Sequence, residues 1–291
     1  MTMRKTEAKV LTSGDAVTSL GQYREAGGLR AYEQVRDADP HETIAVIRDA
    51  GLRGRGGAGF PTAMKWQGIH DSPADRRFAV CNGAEGEPGT FKDRFLLRHN
   101  PYQTLEGLAI AAQVTGAERA YFCIKSGFVR EAEQAERAIE EFRDAGVAVE
   151  IELVRGPDEY LFGEEKAMLE VIEGGLPMPR VFPPYVEGLF GGKYGGPSDR
   201  QNNPTLVNNV ETLAHVPHIL REGFERFREH GTDDTPGTMV FTVTGDVQRP
   251  VVVELPLGLT VRDLVETVAG GAPEGRTVKA VLPGAASGVI T

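Results

Sequence analysis

Short apolar runs alternating with segments of helical period constrain this chain more than any other feature. Arg77 to Val80 reads as a short buried strand. Tyr102 to Val114 places Leu105, Leu108, Ala109 and Ala112 on one side of a helix, and Ala120 to Lys125 is a second strand. Phe128 to Ala145 is a charged amphipathic helix, and Val147 to Val154 a third strand. Strand, helix, strand at this spacing is a βαβ pattern, so the expected fold class is α/β with a mostly parallel, Rossmann-like sheet. Ahead of it, Gly27 to Ala50 predicts two short helices broken near Asp39-Pro40. After it, Gly163 to Gly174 predicts a helix, Gly174 to Pro204 a long irregular loop, and Asn208 to Gly223 another helix.

The pattern changes after Asp233-Asp234. Thr238 to Val243 and Val251 to Leu255 predict a hairpin turned at Gly245-Asp246. Thr260 to Ala269 reads as a helix with Thr260 as N-cap and Asp263 in its first turn, and Val278 to Leu282 as a third strand. These outline a small β-grasp domain. The expected division is 1–235 for the α/β domain and 236–291 for an incomplete β-grasp domain.

Charge and cysteine content exclude several functions. A net charge of −10 argues against a nucleic-acid partner, which demands a basic surface. The two cysteines, Cys81 and Cys123, are too few to hold a zinc or iron–sulfur centre by thiolates alone. They also suit a reducing, cytoplasmic compartment. No apolar run is long enough to span a membrane, and the first seventeen residues carry no signal-peptide pattern.

The 36 glycines gather in clusters. Gly51 to Trp66, GLRGRGGAGFPTAMKW, holds Gly54, Gly56 and Gly59 in a GxGxxG frame, but a helix rather than a strand precedes it. The usual dinucleotide fingerprint therefore fails its own context. What remains is backbone able to approach an anion, with Arg53, Arg55 and Lys65 around it; a purely structural loop is the alternative. Cys81 to Arg94, CNGAEGEPGTFKDR, follows a strand and sets Asn82, Glu85 and Glu87 where ligands bind in open α/β sheets. In Asp158 to Ala167, Glu164 and Glu165 open a helix, and in Pro204 to Thr212, PTLVNNVET, Asn208 and Asn209 stand at a helix start. Helix capping explains both equally well.

Taken in order, these four segments resemble the flavoprotein subunit of respiratory complex I, a module shared with NAD-reducing hydrogenases and NAD-dependent formate dehydrogenases. The resemblance covers roughly residues 27 to 291. It implies FMN as cofactor and NAD(H) as substrate, with hydride passing from NADH to FMN and single electrons onward to iron–sulfur protein subunits of a larger, peripheral complex. By resemblance, Gly54, Arg55, Gly56, Gly57 and Lys65 would hold the phosphate and ribityl chain. Asn82, Glu85, Tyr160, Gly163, Glu164, Glu165, Asn208 and Asn209 would line the flavin. Phe60 and Tyr185 would stack on the adenine of NADH, and Glu87, the catalytic candidate, would face the nicotinamide.

The sequence departs from the family at Ala84, where an acid is usual, at Phe162 for Cys, and at Phe182 for Lys. Gly191 to Asn203 reads as an insertion. The helical iron–sulfur domain of the family has no counterpart here, so no cluster is expected within the chain. The alternative reading is an FMN-binding or assembly module with a degraded NADH site.

Overall fold

A computed structural model describes residues 9–191, 202–284 and 288–291. Two short helices, α1 (Leu20–Glu25) and α2 (Arg30–Arg36), lead into α3 (Pro40–Ala50). The start of α3 follows from local chemistry. Asp39 accepts from the His41 amide at 2.9 Å, and Pro40 takes the first helical position, where an N–H would have no partner anyway. Gly51 ends the helix in the left-handed region at φ 69°.

The glycine loop then feeds α4 (Thr62–His70), β1 (Phe78–Gly83), α5 (Lys92–His99), α6 (Pro101–Thr115), β2 (Arg119–Lys125), α7 (Val129–Asp144) and β3 (Ile151–Gly156). A single 3₁₀ turn, Tyr160–Gly163, precedes α8 (Glu165–Ile172). After the Gly/Pro-rich stretch come β4 (Thr205–Asn209), α9 (Val210–Glu222), α10 (Phe224–Arg228), and the antiparallel pair β5 (Thr238–Val243) and β6 (Val251–Pro256).

The main sheet is four-stranded and parallel in the order β3-β2-β1-β4. Both faces are covered, which is why its strands read as continuous apolar runs rather than alternating ones. Ala79, Cys81, Ala120, Phe122, Ile124 and Leu206 join the large core with α6, α7 and α9. Phe78, Val80, Tyr121, Cys123 and Val207 face a smaller cluster with Phe162, Met168, Leu169 and Leu189. Phe162 is fully buried there, and a Cβ on Gly156 would meet its ring at 2.2 Å. The departure from cysteine at this position therefore fills core space between β3 and α8.

A pair of residues sets the crossing of α6 and α9. Pro217, inside α9, lacks the N–H that would bond the Leu213 carbonyl. That carbonyl instead lies against Gly107 of α6, where an added Cβ would stand 2.0 Å from the oxygen. Gly107 is thus required by close approach, and any larger residue must push the two helices apart.

The structure revises several sequence expectations. Thr205–Asn209 is a strand, so the helix expected from Asn208 begins at Val210. The third strand begins at Ile151 and runs to Gly156. Thr260 and Asp263 do form the reciprocal cap, Asp263 accepting from Thr260 N at 2.9 Å, but the turns from Asp263 to Val268 are π-wound. Val278 to Leu282 forms no strand. Its backbone pairing is a single bridge between Val281 and Ile290, and one bridge supplies no ladder for the apolar residues to join. Of the expected insertion Gly191 to Asn203, positions 192–201 lie outside the described residues, as do 1–8 of the leading segment.

One carboxylate ties the hairpin to the segment ahead of α1. Glu254 of β6, 2% exposed, accepts from the amides of Val10, Leu11 and Thr12 at 2.9–3.0 Å and from the Thr238 hydroxyl at 2.6 Å. A buried carboxylate is tolerable only with such a set of donors. No helix among the described residues is long and apolar enough to cross a membrane.

Candidate functional site

Strand order locates the site. The chain runs outward from β1 through β2 to β3, then returns to place β4 on the other side of β1. The reversal leaves a crevice at the carboxyl ends of β1 and β4, where open α/β sheets bind ligands. Asn82 and Asn209 are register partners at that edge.

The glycine loop leans into the crevice. Its base is closed by the Arg53–Pro61 bridge, the Gly54 amide donates to Phe60 O at 2.9 Å, and Arg53 Nη1 donates to Gly59 O at 2.8 Å. At its tip, a Cβ on Gly56 would stand 3.3 Å from Asn209 Cβ, so the loop touches the β4–α9 junction. Gly57 and Gly59 adopt φ of 125° and 61°, and a Cβ on either would meet nothing within 4 Å. The backbone conformation demands glycine there, while the space beside it is open. The amides of residues 56–59 find no acceptor among the described residues. Consecutive amides without an acceptor among the described residues, beside open space, are what an anion-binding nest requires.

Other motifs converge on the same edge. Lys65, on α4 directly after the loop, bonds Glu165 at 2.5 Å and Val207 O at 2.7 Å, joining α4, α8 and β4. Trp66 Nε1 donates to Asn208 Oδ1 at 2.8 Å. Asn82 Nδ2 donates to Gly163 O at 2.8 Å, and its Oδ1 accepts from Ala84 N at 3.1 Å. Gly163 fits closely: a Cβ would lie 2.9 Å from Ala84 O. Asn209 accepts from Glu211 N as the N-cap of α9 and from Lys92 Nζ at 2.9 Å, while donating to Asp93 at 2.7 Å. Capping and site-building are therefore the same act for this residue.

Lys92 and Asp93 were not singled out by sequence. Lys92 pairs with Asp93 at 2.6 Å and lies 3.2 Å from Glu211, both carboxylates being almost fully buried. Burial alone would lower the Lys92 pKa, but the charges of Asp93 and Glu211 outweigh it and hold it above the ordinary lysine value. Glu211 is itself raised by burial, against the pull of Lys92 and Arg55.

Three of the expected site residues have protein partners of their own. The Arg55 guanidinium turns toward β5 and the base of its own loop, where Nη1 donates to Arg53 O at 2.8 Å. It is 6% exposed and donates to Thr238 O at 3.0 and 3.2 Å, while the Arg55 amide donates to Thr212 Oγ1 at 2.8 Å. Burial lowers its pKa and the Glu211 charge opposes that. The Glu85 carboxylate turns toward α5, accepting from Asp93 N at 3.0 Å and Arg94 Nε at 2.8 Å. Burial, then the Asp93 charge, raise its pKa. Glu164 caps α8 through Ala167 N at 2.9 Å.

The outer residues are open. Phe60 is 51% exposed, Tyr185 61% and Tyr160 56%. Tyr160 donates to Glu87 at 3.0 Å, and that bond raises its pKa. Phe182 and Phe91 are also exposed. Arg180, which pairs with Glu170 at 2.5 Å and Glu173 at 2.6 Å, anchors the segment carrying Phe182 and Tyr185 back to α8 and its C-cap. A separate cleft of about 660 Å³, lined by Gln248, Val265 and Arg276 among others, belongs to the hairpin region and shares no residue with the four motifs. Cys81 and Cys123 are buried and their thiols are raised by burial, so neither is a nucleophile at neutral pH.

Comparison with known proteins agrees with this geometry. Residues 47–218 match the family described as the Nuo51 FMN-binding domain, and 240–284 match the SLBB domain. An NADH-quinone oxidoreductase F subunit of Rhizobium meliloti is 40% identical over 93% of this chain and 65% of its own length. The F subunit of Aquifex aeolicus is 39% identical over 92% and 63%, and that of Rickettsia felis 37% over 98% and 68%. The chain thus spans slightly under two thirds of the first two relatives. Among solved structures, an NAD+-reducing [NiFe]-hydrogenase in the air-oxidized state superposes with a TM-score of 0.75 at 36% identity, covering 90% of this chain and 43% of that one. With a glycine loop, a β1–β4 crevice and a following SLBB segment in the expected order, the chain belongs to the Nuo51 FMN-binding family, which comprises the flavoprotein subunits of NADH-quinone oxidoreductase.

Proposed function

We propose that this chain carries out the NADH-oxidising half-reaction, taking hydride from NADH onto FMN held at the β1–β4 switch point. The observation that carries the reading is the run of unpaired amides at 56–59 beside Asn209, with Lys65 one helical turn further on. Phosphate accepts from such amides, and Lys65 supplies the charge that Arg55 does not. Asn82, Gly163, Asn208 and Asn209 offer amide and carbonyl groups to the flavin edge. Glu165, paired with Lys65, stands at the first turn of α8. When bound, FMN accepts two electrons as hydride and releases them singly; the protein positions the two rings and excludes water. Phe60, Tyr185 and Glu87 form the outer wall on which the dinucleotide lies.

On this reading the electrons leave to iron–sulfur subunits of a larger cytoplasmic assembly, peripheral to the membrane. On the same reading the α/β domain gives way to the β-grasp domain near residue 236. The test is a visible spectrum of the FMN-loaded chain, recorded anaerobically before and after NADH. Loss of flavin absorbance is expected. Flavin that dithionite reduces and NADH leaves untouched favours the degraded-site alternative, and a chain that takes up no FMN overturns the reading.

A further inference from the structure

We infer that His41, His70 and Asp71 form a binding site for a borderline divalent transition metal, with zinc as the best fit. One ligand atom of each lies within 4.8 Å of the others. His41 is the second residue of α3, His70 the last of α4, and Asp71 its C-cap. The two imidazoles meet edge to face, 4.8 Å between centroids.

The hydrogen bonds show where the lone pairs converge. Gln67 Nε2 lies 2.6 Å from Asp71 Oδ2 and 3.2 Å from His41 Nδ1. Arg48 Nη2 donates to Gln67 Oε1 at 3.2 Å, which sets the orientation of the amide. Flipped, its oxygen would face the Asp71 carboxylate and its NH₂ the Arg48 guanidinium, both repulsive. The group between His41 and Asp71 is therefore an N–H donor, and His41 Nδ1 presents a lone pair to it. A carboxylate oxygen and an imidazole nitrogen already aim at one electropositive centre, with the second imidazole alongside. A metal ion satisfies both acceptors more strongly than a single amide does.

Two imidazoles and a carboxylate suit zinc, at about 2.0–2.2 Å per ligand, and leave a fourth position for water. The three side chains are exposed or half-buried, so the closure needed is a rotation about their χ angles rather than a movement of the helices. The C-terminal end of α4 favours a cation, and the start of α3 opposes it. The sequence between the two histidines consists of α3, the glycine loop and α4. Ligation would hold together the far ends of this helix–loop–helix unit. The site is distinct from the sheet crevice and does not depend on the flavin reading.

The test is calorimetric titration of the full chain with ZnCl₂, with folding of every variant checked by circular dichroism. Saturable binding of one zinc per chain is expected, weakened at least about tenfold by His41→Ala or His70→Ala, as for the loss of even an outer-shell partner. Gln67→Ala is expected to bind at least as well as the parent chain, because the competing donor is gone. No uptake by the parent chain, or equal uptake by the His41→Ala/His70→Ala double variant, overturns the proposal.

Discussion

The inner and outer walls of the crevice are held in different ways. On the inner side, Lys65, Asn82, Lys92, Asp93, Asn208 and Asn209 are half-buried or buried and hydrogen-bonded to protein partners across α4, β1, α5 and β4. On the outer side, Phe60, Tyr185 and Tyr160 are more than half exposed. The inner wall exists before any ligand arrives, because each polar group there answers another and removing one strands its partner. The outer wall offers aromatic area with few rotatable bonds. On the proposed reading, a cofactor that stays and a substrate that leaves ask for this division.

The contrast is broken most severely at Lys92. Lys92→Met should leave Asp93 and Glu211 buried without their cation, costing about 3–5 kcal/mol. Thermal denaturation should show a midpoint lower by on the order of 10 °C; a change of a degree or two would mean the cluster is not a structural unit. Lys65→Met comes next. Loss of a charge-assisted contact to phosphate, about 1.5–3 kcal/mol, should weaken FMN about 10- to 100-fold by fluorescence titration.

His218, on the helix that Asn209 caps, sharpens the comparison through pH. Burial, then Arg221, lower its pKa to about 4, against an ordinary value of about 6.5. Between those values the unfolded chain binds more protons, so the contribution is complete above about pH 6.5 and is lost as pH falls toward 4. His215, lowered by burial, acts in the same sense; Glu85 and Glu211, raised by burial, act in the opposite one. The readout is therefore a difference: melting midpoints of His218→Gln should fall less steeply from pH 7 to pH 5 than those of the parent chain. The smallest effect belongs to the outer wall. Tyr185→Ala should leave stability within about 0.5 kcal/mol while raising KM for NADH about two- to tenfold, the worth of one lost stacking contact. A matching fall in melting temperature would show that the outer wall is built like the inner one.

Much of the fold was legible locally. Asp39-Pro40 announced α3, and apolar periodicity announced α6, α7 and β2. β4 was hidden because Asn209 is both its last residue and the N-cap of α9, so strand passes to helix with no turn to mark it. The site divides the same way. The motif residues stand out by type, whereas the pairing of Asn209 with Asp93 joins residues 116 apart, and the reach of Arg55 to Thr238 spans 183. No local pattern carries such contacts. Glu85 shows what residue type alone omits: it suits a ligand acceptor, and each of its oxygens also accepts from the first turn of α5.

The Arg55–Thr238 contact bears on how this module travels between enzymes. Glu211 repeats it, accepting from Val240 N at 2.7 Å, so a cation and an anion of the α/β body both take backbone partners from β5. A version cut before residue 236 would take the Thr238 carbonyl from the Arg55 guanidinium and the Val240 amide from the Glu211 carboxylate, leaving Arg53 O and Lys92 among their remaining partners. The nucleotide-binding half is therefore not portable by itself: wherever recombination carries it, the first strand of the hairpin, or a replacement that presents the same carbonyl and amide, must go along.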